Sequence, residues 1–283
     1  MADNQRFKFH GHAAALSGRI VRVGEGTKAK FIKNAFIDLP AAALPATGGR
    51  SSARLSRKNL TDPVVRTFVR FENASVSSEG VYEEAKGHFE VTQGKRASNT
   101  LTPVTKVSAD VRGLDIGLKG NVRMTIKRVR GGFTSKKNMA AGESGIQLTR
   151  ETGFDGNNVT FVDEKGKPYI LTVGIAKELF DTHDTFSAIT AAPNAALART
   201  DDGAAHGTVV KPLRWKGREF PGSAIDPERP NTVSIPGFGQ VSFGEITMTP
   251  QSRRLTMVRL DLGSPIGGDC ACADVMDNGG GSL

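Results

Sequence analysis

Asn231 to Gly263 reads NTVSIPGFGQVSFGEITMTPQSRRLTMVRLDLG, and its alternation decides the fold class. Val233 and Ile235 alternate with polar residues, Pro236-Gly237-Phe238-Gly239 breaks the chain, and Val241 and Phe243 resume the alternation. That is the pattern of two half-buried strands around a turn. After the polar break Thr249-Pro250-Gln251-Ser252, a third strand is predicted over Leu255 to Leu262. Its Val258, Leu260 and Leu262 fall on one face and Arg259 and Asp261 on the other. The stretch reads as a β-meander that closes a β-rich domain.

Working outward, Val104 to Val129 is the second strong β region. Val107, Ala109 and Val111 share one parity, and Val122, Met124 and Ile126 share another after the turn at Lys119-Gly120-Asn121. The spacing of Gly113, Gly117 and Gly120 predicts a bend or bulge there. Val159 to Val162 and Tyr169 to Ile175 flank Asp163-Glu164-Lys165-Gly166-Lys167-Pro168, a hairpin turn. Earlier in the chain, Phe7 to Val23 reads as one bent strand or a hairpin, Ala35 to Leu39 as a strand stopped by Pro40, and Ala41 to Ser52 as a loop. VVRTFVRF and ASVSSEG, after Asp62-Pro63, read as two strands. Gly131 to Gly145 reads as a loop, Lys177 to Leu197 has room for a short helix ended by Pro193-Asn194, and Arg199 to Pro230 is a long Gly- and Pro-rich excursion. Residues 1–264 are expected to form one β-rich domain and residues 265–283 a flexible Gly-rich tail. No fixed-period repeat is present, so the expected architecture is mainly β, an antiparallel β-sandwich, with an irregular β-helix as second choice.

Composition agrees with short strands and frequent turns. Hydrophobic residues make up 38% and aromatics 6%, which makes the expected core aliphatic, and the 33 Gly favour turns over helices. Lys and Arg number 38 against 29 Asp and Glu, a net charge of +9. That surplus suits either simple solubility or an anionic partner. With two Cys, disulfides are not the framework of the fold. No apolar run approaches the ~20 residues of a membrane-spanning helix. The opening MADNQRFKFHGH lacks the apolar core of a secretory signal, which leaves a cytoplasmic protein, another export route or an edited sequence.

Four constellations could carry chemistry. His10 and His12 lie two residues apart and would share a face of an extended strand, a weak metal pair. His183, set between Asp181-Thr182 and Asp184, could be oriented by a carboxylate or help to bind a cation, but no nucleophile motif accompanies it. Cys270-Ala271-Cys272, followed by Asp274 and Asp277, reads as a free pair or a local disulfide rather than a cofactor site, and no cofactor is indicated. Finally, KGNVRMTIKRVRGGFTSKK (residues 119–137) carries seven basic residues and no acidic one. Its Arg123, Lys127, Arg128, Arg130, Lys136 and Lys137 are the candidate anion-binding set, able to track phosphates or sulfates along a strand face.

The opening GHAAALSGRI, the early I-D-L-P, the central VRGLDIGLKG, the L-T-V-G strand, and the N-x-x-x-I-P-G-x-G-x-V-x-x-x-E run ahead of L-T-M-V-R-L together resemble the bacterial choice-of-anchor P proteins. The resemblance implies a surface or secreted β-rich protein and supplies no catalytic residues. From the residues themselves, no nucleophile, base and orienter can be assembled from adjacent motifs. The expected function is thus a non-enzymatic structural or binding protein, able to self-assemble by strand exchange in a filament or, as the resemblance implies, at the cell surface, the alternative being an ordinary edge strand folded on its own domain. Phe7 to Val23 would be the donor, and other copies or other protein subunits the partners. The alternatives are binding of nucleic acid or an acidic polysaccharide through the basic strand face, and a carbohydrate-active hydrolase on a β scaffold.

Overall fold

The closing meander forms as the alternation requires: β15 (Thr232–Ile235), β16 (Gly239–Met248) and β17 (Ser252–Asp261) pair antiparallel in succession. Val258 and Leu260 are buried while Arg259 and Asp261 are exposed. The computed structural model describes residues 8–22, 33–61, 67–84, 101–118, 122–138, 143–178, 180, 185–192, 197–199, 203–261 and 269–278. Among them the strands form two nine-stranded sheets, neither closed into a barrel, and the chain is mainly β.

The first sheet runs β11 (Leu197–Arg199), β12 (Ala205–Thr208), β16, β17, β18 (Asp269–Asn278), β1 (Gly11–Arg22) and β2 (Lys33–Ala43). β15 adds to β16, and β14 (Ala224–Ile225) adds to β15. Two sequence expectations are corrected here. Residues 269–278, expected within a flexible tail, are an interior strand paired from Ser252↔Asn278 to Asp261↔Asp269 on one side and with β1 on the other. Ala273 and Val275 are fully buried, and a tract this short, flanked by Gly and Asp, carries too few large apolar residues to announce itself. Likewise β2 does not stop at Pro40. β2 ends the described path, and an edge strand tolerates a residue with no N–H to donate.

The second sheet runs β13 (Arg214–Trp215), β10 (Pro168–Thr172), β9 (Asn158–Val162), β6 (Arg123–Asn138), β5 (Leu101–Leu118), β4 (Thr67–Glu84) and β3 (Gly49–Thr61). β7 (Glu143–Leu148) and β8 (Gly153–Phe154) also pair with β6. The expected pair VVRTFVRF and ASVSSEG is largely one 18-residue strand, β4. The expected loop 131–145 is instead the end of β6 and the start of β7. The Asp163 hairpin joins β9 to β10, and the helix α1 (Phe186–Ala191) lies within the predicted interval, its N-terminus capped by Thr185 Oγ1 accepting from Ala188 N. The Arg199 to Pro230 excursion carries β12, β13 and β14, which tie it to both sheets.

Each sheet bends along a line that crosses its strands. In the second sheet two successive residues face outward on each of three neighbours: Glu72 and Asn73, Arg112 and Gly113, Lys127 and Arg128. Phe71, Ala74, Val111, Leu114, Ile126 and Val129 are buried on either side of them. Gly113 adopts φ +62 at this line, a conformation that costs a side-chain-bearing residue about 1–2 kcal/mol. The bend foreseen from the glycine spacing is therefore real. In the first sheet the ladders skip Gly244, Met257, Ala273, Ala15 and Pro40, but there successive residues such as Met257 and Val258, and Ala15 and Leu16, are buried; Gly244 has φ +59 and Ala273 φ +52.

The bend of the first sheet packs on β6 at Gly131, three residues beyond Arg128. A Cβ there would stand 2.6 Å from the Ala273 carbonyl oxygen and 2.7 Å from Met257 Cγ. Around this contact one core joins the sheets: β1 and β18 lie over β5, β17 over β6, and β2 over β3 and β4. Phe154 and Phe243 meet edge-on at 5.7 Å between centroids, and Phe161 meets Phe238 at 5.9 Å, so each pair links one sheet to the other.

Candidate functional site

The outward face of β6 carries the basic stripe, and the structure answers most of it from adjacent strands. Arg123 Nη1 donates to Asp115 Oδ2 of β5 at 3.4 Å. Lys127 Nζ lies 2.8 Å from Asp155 Oδ2, in the turn after β8. Lys136 Nζ donates to Glu83 Oε2 of β4 at 3.0 Å. Lys137 has the inward parity of Phe133 and Ser135 and is half-buried, opposite Ser144 of β7. Arg123 and Lys136 are thirteen residues apart on one strand, roughly 40 Å at ~3.3 Å per residue. The structure does not bring the six candidates to one point.

It does bring Arg128 and Arg130 together. Strict alternation from Arg123 would turn both inward, but the bend at Gly113 shifts the parity and both face out. Arg128 grips Asp110 with two parallel bonds, Nε to Oδ1 at 2.9 Å and Nη2 to Oδ2 at 2.5 Å. Arg130 Nε donates to the same Oδ2 at 3.3 Å, and Arg112 Nε lies 3.9 Å from it. Three guanidiniums therefore share one carboxylate. Register makes the cluster: Asp110 sits opposite Arg130, and Arg112 opposite Arg128, across β5 and β6. Side-chain exposures of 23–29% for Asp110, Arg128 and Arg130 shield it partly from water, so these bonds are stronger than those of open surface pairs.

Beside this cluster lies a cleft of about 430 Å³. Arg128, Arg130, Lys177 and Lys211 bring positive charge to its walls, and Glu151 and Asp155 bring negative charge. Lys177 and Lys211 come from distant parts of the chain, which the bridge Ile175↔Val210 draws together. Sequence reading missed both, because each is a lone Lys with no periodic context. Lys211 Nζ lies 3.4 Å from the exposed Glu178, and Lys177 Nζ donates to the Arg150 carbonyl oxygen.

The carboxylates respond to these neighbours. The hydrogen bond from Lys127 holds Asp155 below the ordinary range, and Asp155 in turn raises Lys127. Glu83 is lowered chiefly by the Lys136 hydrogen bond. Asp115 goes the other way: burial raises it, and Arg123 and Arg70 offset only part of that.

A second cleft of about 490 Å³ opens at the β9–β10 hairpin, lined by residues that include Tyr169, Arg218, Phe220 and Pro236. Asp163 organises it. Its Oδ1 accepts from the Lys165 and Lys167 amides at 2.9 and 2.8 Å, and its Oδ2 accepts from the Tyr169 hydroxyl at 3.2 Å. These bonds hold a turn, and the buried rings of Tyr169 and Phe220 meet at a tilt of 59° with centroids 4.9 Å apart.

Of the other candidates, His10 is exposed just before β1 and His12 is half-buried on it. Among the described residues no three His, Cys, Asp or Glu side chains cluster as a metal site. Asp181, His183 and Asp184 lie outside the described residues, and so do the side chains of Cys270 and Cys272, whose backbone belongs to β18. No helix of the described chain is long and apolar enough to cross a membrane. Comparison with protein-family models, with curated proteins and with solved structures finds no match.

Proposed function

We propose that this chain is a non-enzymatic structural or binding protein. One observation carries the reading: the cations of the β6 face are met by Asp110, Asp115, Glu83 and Asp155 from β5, β4 and the turn after β8. A strand face whose charges are used within its own sheet serves to fix register and rigidity, since like charges across a ladder repel and opposite ones attract. The test is a titration against heparin and duplex DNA at two ionic strengths. The expected result is weak retention that Arg123→Gln and Lys136→Gln leave unchanged. Tight retention lost in both variants refutes the reading in favour of a polyanion track. Turnover of a carbohydrate substrate by the purified protein refutes its non-enzymatic part.

Self-assembly by strand exchange, and a place at the cell surface as the choice-of-anchor P resemblance implies, belong to the same proposal. β1 lies between β18 and β2 and buries Ala13, Ala14, Ala15 and Leu16. Exchange would therefore transfer a core strand whose vacated slot only an equivalent strand can fill. Light scattering over a wide concentration range decides it, and a protein that is monomeric throughout excludes exchange.

A further inference from the structure

We infer that the cleft beside Asp110 is a binding site for a small molecule bearing a phosphate or sulfate ester. This goes beyond the structural reading: Arg128 and Arg130 belong to the face of β6, but their donors left over from Asp110 line a cleft that the reading does not use. The argument begins with charge. Asp110 supplies one negative charge to Arg112, Arg128 and Arg130, so the cluster keeps a surplus of positive charge. Arg130 uses only Nε on Asp110, and Arg128 uses Nε and Nη2. The remaining donors are held on oriented, partly shielded side chains that line the cleft. Guanidinium forks fixed in this way are suited to two-point recognition of a tetrahedral oxyanion.

Lys177 and Lys211 line the same cleft. The Glu178 that meets Lys211 is 75% exposed, so water screens that pair and it competes weakly with a multiply charged guest. The carboxylates on the walls set limits to the guest. Asp155 is engaged by Lys127, and Glu151 opposes an anion that fills the whole cleft, which favours a localised charge on a neutral body. Size agrees: about 430 Å³ exceeds what a bare phosphate needs and lies within the usual range for small-ligand clefts. A neutral polar body attached to the ester, of the size of a single sugar, fits the remainder.

The experiment is calorimetric titration of the full chain at low ionic strength with glucose 6-phosphate, glucose 6-sulfate, inorganic phosphate and glucose. Saturable one-to-one binding of the esters, no binding of glucose, and ~10-fold or greater weakening by Arg130→Gln and by Lys211→Gln are expected. Lys136→Gln, outside the cleft, should leave affinity unchanged. Lys211→Gln keeps the test clear of folding defects, because Lys211 meets only an exposed partner. Esters that bind better than inorganic phosphate support a phosphorylated or sulfated metabolite, whereas equal binding of inorganic phosphate overturns the ester and leaves a site for the free ion. No binding of any phosphate or sulfate compound overturns the inference. So does binding that Lys136→Gln weakens as much as Arg130→Gln, which would mark diffuse attraction to a basic surface. Failure here leaves the structural reading intact, since that is decided by heparin and DNA retention.

Discussion

Replacing Gly131 by Ala tests how closely the bend of the first sheet packs on β6. The added methyl would meet the Ala273 carbonyl oxygen at 2.6 Å and Met257 Cγ at 2.7 Å, both well inside van der Waals contact. Neither neighbour yields easily. The first is backbone that both ladders skip but that Cys272 and Asp274, paired on both sides, hold in place, and the second is the middle of a side chain that is fully buried. Overpacking a closed core costs about 1–3 kcal/mol, and the rigidity of both neighbours puts Gly131→Ala near the upper value, ~3 kcal/mol. For a chain of this size that corresponds to a fall in Tm of about 5–10 °C. Gly174→Ala is the control: its nearest neighbour to a new Cβ is Lys211 Cδ at 3.9 Å, and its Tm should hold or rise slightly. Thermal melting by circular dichroism reads both. A Gly131→Ala protein that melts with the wild type refutes the close approach of the sheets.

Three further outcomes are expected. Asp110→Ala leaves three guanidiniums without their shared carboxylate, so stability should drop by about 1–2 kcal/mol in chemical unfolding. Added salt should recover part of the loss by screening the arginines from one another. Asp163→Ala removes the acceptor of two turn amides and the Tyr169 hydroxyl, so the β9–β10 hairpin should lose amide-exchange protection first. The third concerns pH. Lowered Glu83 contributes stability that is present above the ordinary glutamate range and lost as pH falls through its folded value. Lys136→Ala, which removes the leading cause, should flatten that acid-side loss. Raised Asp115 has the opposite sign: its contribution is full below the ordinary aspartate range and lost as pH rises through its folded value. Asp115→Asn should therefore compare more favourably with wild type at neutral pH than in acid.

What the chain disclosed in advance was what local chemistry controls. The Pro236-Gly237 turn, the Asp163 hairpin and the Gly113 bend each need particular residues at particular places, and each was readable. The partner of each cation was not, because it depends on register between strands: Asp110 faces Arg130 only once β5 and β6 are aligned. Strict alternation also fails at a bend, so the outward turn of Arg128 and Arg130 could not be placed from parity. β18 was missed because Ala271 and Ala273 are weak strand markers and Val275 is its one β-branched residue. The cleft was missed because only tertiary structure brings Lys177 and Lys211 to the cleft that Arg130 lines.

The pairing of β1 with β18 has a consequence for how the protein is made. These two strands lie at opposite ends of the described chain, yet they are ladder neighbours from Gly11↔Asp277 to Gly18↔Cys270. A polypeptide leaving the ribosome shows β1 well before β18 and must keep it without that neighbour until all the strands between them have been synthesised. During that interval the side of β1 destined for β18 is open to strands of other molecules, including nascent copies on the same message. Contacts this distant in sequence also slow folding, because the loop must close before they reward it. Expression at reduced temperature or with a chaperone that shields extended segments should thus raise the soluble yield more than any change to the surface.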